Sequence, residues 1–146
     1  MVIGIFGESC TGKSTIASEL SKRANVKVYT GKDYSRLAKN EEEAKRNFAE
    51  MLRSHETAEE VIVYVISEKE HLALLPERAV RILVTAELDV IKERFTKRMN
   101  GHLPAPVAAM LEQKHGLFDD EKHDLHVKDA EDNLSDICDN IIGLCP

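Results

Sequence analysis

Gly7-Glu8-Ser9-Cys10-Thr11-Gly12-Lys13-Ser14 is the stretch from which the rest of the chain can be read. It follows a short apolar run over residues 1–6, whose β-branched Val2 and Ile3 and abrupt end at a glycine predict a buried strand. It leads into a helical pattern over Lys13–Arg23, with Ile16, Ala17 and Leu20 on one face. Strand, then G-x4-G-K-[ST], then helix is the Walker A arrangement. Gly7 and Gly12 let the backbone turn with its N–H groups facing inward, as an anion nest. Lys13 has the reach to bring a point charge to the β- and γ-phosphates of a nucleotide, and Ser14 has the hydroxyl that suits Mg²⁺. The helix start turns free N–H groups and the positive end of its dipole toward the same phosphates. Ser9, Thr11 and Thr15 complete the expected phosphate-binding set over residues 7–15.

Outward from this loop the pattern alternates. Val26-Lys27-Val28-Tyr29 reads as a second strand, broken by Thr30-Gly31. Helical spacing over about residues 33–53 carries Leu37, Ala44, Phe48, Met51 and Leu52, with Glu41-Glu42-Glu43 as a solvated patch. Val61–Ile66 is apolar on both faces, which predicts an interior strand. A loop containing Pro76 leads to a strand over residues 80–84, then a helix over 88–99. Gly101 and the Pro104/Pro106 pair interrupt it, and a shorter helix is expected over 107–114, followed by a loop over 116–123. Residues 124–127 read as a last strand and 134–144 as a terminal helix. Strands alternating with helices imply βαβ units and a mostly parallel sheet covered on both faces. No linker or internal repeat divides residues 1–146, so one domain is expected.

Composition narrows the function classes. Apolar residues form 42% of the 146-residue chain and charged residues 32%, a globular balance. No apolar run approaches the roughly 18 residues of a membrane span, and no signal peptide is visible, so a cytoplasmic location without membrane association is expected. The net charge of −6 and the lack of a Lys/Arg run argue against nucleic acid as partner. Cys10, Cys138 and Cys145 form no CxxC pair, which fits a reducing compartment and assigns the last two to packing or the tail. His102, His115, His123 and His126 have no metal-ligand spacing on a common helix face.

From the loop and the order of elements around it, the chain resembles the P-loop small-molecule and nucleoside monophosphate kinases, among them adenylate, cytidylate, shikimate and gluconate kinases. The resemblance implies a three-layer α/β/α P-loop fold with a five-stranded parallel sheet in the order 2-3-1-4-5. Thr30-Gly31-Lys32-Asp33-Tyr34-Ser35-Arg36 is similar to the T-G-D-x-x-R segment that opens the acceptor region, which would extend over about residues 33–58 and use Asp33 and Arg36. Arg94-Phe95-Thr96-Lys97-Arg98 is similar to the R-x3-R before the lid, and i,i+4 spacing puts both guanidinium groups on one helix face as a phosphate clamp. The lid would span about residues 99–123. Where nucleotide kinases read D-G-x-P-R after the third strand, this chain reads Ser67-Glu68-Lys69-Glu70, with Glu68 at the position of a catalytic carboxylate. No arginine occurs between Arg98 and Asp124, so cations there are limited to lysine and histidine.

The resulting expectation is an ATP- and Mg²⁺-dependent phosphotransferase, monomeric or homodimeric. Lys13, Asp33, Arg94 and Arg98 would act in catalysis, and Asp33, Arg36 and Glu68 would meet a small polar or anionic acceptor such as a nucleotide, nucleoside or sugar acid. Asp33 reads equally as the N-cap of the helix it opens, and Arg94 and Arg98 as snorkelling surface residues. The rival reading is a nucleotide-binding or slowly hydrolysing NTPase module whose output is regulatory.

Overall fold

The structure is a computed structural model that describes residues 1–23, 25–130 and 133–144. Five strands, β1 (Val2–Phe6), β2 (Val26–Thr30), β3 (Val61–Ile66), β4 (Val80–Thr85) and β5 (Leu125–Lys128), form one sheet in the order β2-β3-β1-β4-β5. Every neighbouring pair is parallel, with Ile5 opposite Val65 on one side and Ile82 on the other. All strands therefore end at the same edge, and the loop after the central strand β1 lies in the middle of it.

Side-chain alternation along the strands separates two cores. Ile3 and Ile5, with Val63, Val65, Ile82 and Val84, face α1 (Lys13–Arg23) and α5 (Leu134–Gly143), which contribute Ile16, Leu20, Cys138 and Ile141. Val2 and Phe6, with Ile62, Tyr64 and Ile66, face α2 (Glu41–Ser54), whose i,i+4,i+8 stripe is Ala44, Phe48 and Leu52. Helices thus cover both faces, as expected for a parallel sheet whose interior strands are continuously apolar. Cys138 is a fully buried core residue, and burial pushes its thiol pKa up. Cys145 lies outside the described residues. Among the described residues no helix is long and apolar enough to cross a membrane.

Two expectations need correction. The helical pattern over 33–53 is not continuous: Asp33–Leu37 is a 3₁₀ turn, Ala38 is extended, and α2 starts afresh at Glu41. The cause is Asn40, whose side chain accepts the Glu43 N–H at 3.2 Å and caps a new helix. The loop before β4 likewise contains a 3₁₀ segment, Lys69–Leu74. After α3 (Leu88–Arg98), α4 (Ala105–Lys114) begins two residues earlier than its apolar pattern suggested, because Pro106 sits in its first turn, where the missing N–H costs nothing.

The second core is an aromatic stack. Phe48 meets Tyr64 edge-on at 4.8 Å and Tyr29 at 5.5 Å, and Tyr34 packs against both Phe48 and His71. The Phe48→Ala variant should lose about 3–5 kcal/mol of unfolding free energy, read from its urea denaturation midpoint, because the fully buried ring leaves a cavity between helix and sheet. A loss below about 1 kcal/mol would show that the stack contributes little.

Candidate functional site

The loop after β1 is closed by contacts only glycine permits. A Cβ on Gly7 would lie 2.1 Å from the Val84 carbonyl oxygen, and Gly12, at φ +101°, has the Ala130 Cβ where its own would stand, at 2.6 Å. The Gly7 N–H is held by the Ile66 carbonyl at 3.2 Å, and the Thr11 hydroxyl donates to the Glu8 carbonyl at 3.0 Å. Thr11 thus spends its side chain inside the loop, whereas Ser9, Ser14 and Thr15 are exposed.

Lys13 folds back into this loop. It is 4% exposed, and its ammonium donates to the carbonyls of Gly7, at 2.8 Å, and Glu8. Burial pushes its pKa down to about 8; nearby Cys10 and Glu8 offset this in part, and the charge of Arg98 adds to it. Arg94 also reaches the loop, donating to the Cys10 carbonyl at 3.0 Å and pairing with Asp129 at 3.4 Å. The structure therefore brings Lys13 and Arg94, far apart in sequence, to one turn of backbone, with Arg98 in electrostatic reach of Lys13. Such a cradle of glycine-bent backbone, helix start, buried ammonium and guanidinium fits a phosphate chain.

Glu8 is a residue the motif did not single out, because it occupies a variable position. Its carboxylate is 10% exposed and accepts from His115 Nδ1 at 3.1 Å and from the Gly116 N–H at 3.3 Å, which ties the end of α4 to the loop. Beneath that contact Cys10, Ile91 and Leu111 form a small core between the loop, α3 and α4.

On the β3 side of the loop lie two adjoining cavities. One, of about 270 Å³, runs between Ser9, the segment Ser67-Glu68-Lys69-Glu70 and Met110, Leu111 and Lys114 of α4. The other, of about 310 Å³, is bordered by Ser14, Lys32, Ser67, Glu68 and His71. Glu68 borders both and shares the second with Ser14. Asp33 and Arg36 line neither. Asp33 instead closes its own turn, Oδ2 accepting the Thr30 N–H at 2.8 Å, and Arg36 is exposed on the 3₁₀ turn. Lys114, Glu70 and His71 were not singled out as acceptor residues, since only the packing of α4 and of the 3₁₀ segment brings them to the loop.

No protein-family model matches the chain, and no curated protein does. Solved structures do match in fold. Shikimate kinase from Aquifex aeolicus superposes with TM-score 0.59 at 20% identity, over 99% of this chain and 98% of its own. A gluconokinase from Sinorhizobium meliloti gives 0.63 at 15% identity, over 97% and 89%. Shikimate kinase from Acinetobacter baumannii, in complex with shikimate, gives 0.66 at 13% identity, over 98% and 91%. The fold is that of the P-loop kinases. Identities this low establish the P-loop kinase architecture, including the strand order, while the chemistry rests on this chain's own residues.

The buried ammonium has a measurable signature. A lysine in the unfolded chain holds its proton to about pH 10.4. Lys13 in the folded chain releases it near 8, so folding disfavours the charged form. Its contribution to stability is therefore unfavourable below about pH 8 and grows more favourable as pH rises toward about 10.4. The urea midpoint of the wild type relative to Lys13→Met should rise between about pH 7.5 and about pH 9.5; a constant difference would mean that Lys13 titrates normally.

Proposed function

We propose that this chain is an ATP-dependent phosphotransferase acting on a small hydroxyl-bearing acceptor. The observation that carries the reading is Lys13, buried within the glycine loop with its ammonium on the Gly7 and Glu8 carbonyls and with Arg94 bound to the same loop. A charge so placed has little purpose in packing, since burial works against it. It is available to phosphate oxygens that replace the carbonyls. The kinase fold of the structural neighbours supports the same class.

ATP with Mg²⁺ supplies an activated phosphoryl group. The inward N–H groups of residues 7–15 and the start of α1 bind its phosphates, and the Ser14 hydroxyl is the group suited to the metal. Lys13, Arg94 and Arg98 neutralise charge that spreads over the phosphoryl oxygens, which supplies most of the rate in this chemistry. Glu68, between Ser14 and the acceptor cavities, orients the acceptor hydroxyl and takes its proton. The new bond joins the acceptor oxygen to the γ-phosphorus as the bond to the ADP oxygen breaks, leaving ADP and a phosphomonoester. Leu111 and Phe118, both buried, give this wall an apolar side.

One contact favours a second reading. Glu8 already fastens the His115–Gly116 corner onto the loop, so nucleotide-dependent release of that corner would make the chain a regulatory NTPase. The two readings give different products. With γ-labelled ATP and a panel of polyols, sugars, amino alcohols and hydroxy acids, the kinase should transfer label to an acceptor. Lys13→Ala should lower kcat/KM by roughly a hundredfold or more. Label released only as inorganic phosphate across the panel would overturn the transferase reading in favour of the NTPase.

A further inference from the structure

Resting on the phosphoryl-transfer part of that reading, we propose that Asp129 is a positioning residue, which holds Arg94 ready for the transferring phosphoryl group. Arg94 stands on α3, and its guanidinium is held from two sides. Nη1 donates to the Cys10 carbonyl at 3.0 Å and Nη2 to Asp129 Oδ1 at 3.4 Å. A planar guanidinium bound through both terminal nitrogens has its plane set as well as its place.

The backbone supplies an independent observation. Among the described residues four besides glycine have a positive φ: Cys10, Asn100, Asp129 and Asn133. The two asparagines stand at helix ends and are of the type that takes this conformation most readily. The other two, each at φ +65°, are the two acceptors of Arg94. Aspartate tolerates the left-handed region better than most residues, but glycine fits it without strain. The backbone at residue 129 thus asks for no carboxylate, and the contact with Arg94 gives the side chain its use.

Residue 129 is also fixed relative to the phosphate loop. Its N–H donates to the Thr85 carbonyl, at the end of β4, at 3.0 Å, and the next residue, Ala130, is fully buried against Gly12. Carboxylate and loop therefore share one frame, and Arg94 joins α3 to it. An arginine side chain loses rotamer freedom when it grips a phosphate, and Cys10 and Asp129 impose that order beforehand. A cation fixed where charge develops adds more to the rate than to nucleotide binding. The Asp129 side chain is 45% exposed, so the ion pair itself contributes little to stability.

The test follows total loss of γ-label from ATP, transferred plus released, in the full chain with Mg²⁺ and the acceptor panel above. Asp129→Gly should lower kcat about tenfold and leave KM for ATP within about twofold. Its urea midpoint should lie at or above that of the wild type, since glycine fits φ +65°. Asp129→Asn, which keeps an acceptor oxygen without the charge, should lose only about threefold in kcat. Arg94→Met should lower kcat about a hundredfold, and adding Asp129→Gly to it should change kcat by less than about twofold, because the carboxylate acts through the guanidinium. Losses that multiply in the double variant overturn the assignment, as does an unchanged kcat in Asp129→Gly. A lower KM for ATP in Asp129→Gly also overturns it, by making the carboxylate a competitor of phosphate for Arg94. All three leave the phosphotransferase reading intact. Label released only as inorganic phosphate overturns transfer to a metabolite and leaves the role of Asp129 standing, with water as acceptor. A wild type that takes no γ-phosphate from ATP overturns both.

Discussion

The Lys13 ammonium, taken out of water and set on the carbonyls of Gly7 and Glu8, constrains most of what surrounds it. Desolvating a charge is unfavourable, and the structure tolerates it only by curling the backbone tightly enough to give the ammonium oxygen partners. That curl demands glycine at residues 7 and 12, and it brings the Val84 carbonyl and Ala130 into contact distance. The ends of β4 and β5 are therefore part of the loop's wall. A change in strand order would leave the loop without them.

Because β1 is central and its neighbours are parallel, one edge of the sheet collects every strand end and divides into two unlike halves. Toward β4 and β5 stand the cations and their partner: Arg94, its ion pair with Asp129, and Arg98 in electrostatic reach of Lys13. Toward β3 stand Glu68 and Glu70 over the aromatic stack that buries His71. Arg94 thus stands on one side of the loop and the carboxylates of Glu68 and Glu70 on the other. Glu8 sits between the halves and joins the corner after α4 to the loop.

Much of the fold was legible in local patterns. The apolar runs at Val2–Phe6 and Val61–Ile66, the glycine that ends the first, and the lysine-serine pair opening a helix have meanings that neighbouring residues alone supply. The break at residues 38–40 was less visible, because apolar spacing continues across it while a single Asn40 side chain starts a new helix. The site was half legible. Residues in the loop were readable from the motif, whereas Asp33, whose type and place suggested an acceptor contact, closes a local turn with Thr30. Glu70 and His71 gave no signal, since a 3₁₀ turn before a proline has no period that marks a buried histidine.

By itself the sequence determined the phosphate loop, the parallel α/β architecture and the helix that carries Arg94 and Arg98, because each is set by contacts within a few residues or by a simple period. Only the tertiary structure decided what faces the loop. The union of Arg94 with Cys10 and the tie from Glu8 to His115 depend on how separate elements pack. Charge and hydrogen-bonding character at a site come from residues distant in sequence, and packing alone sets which of them meet.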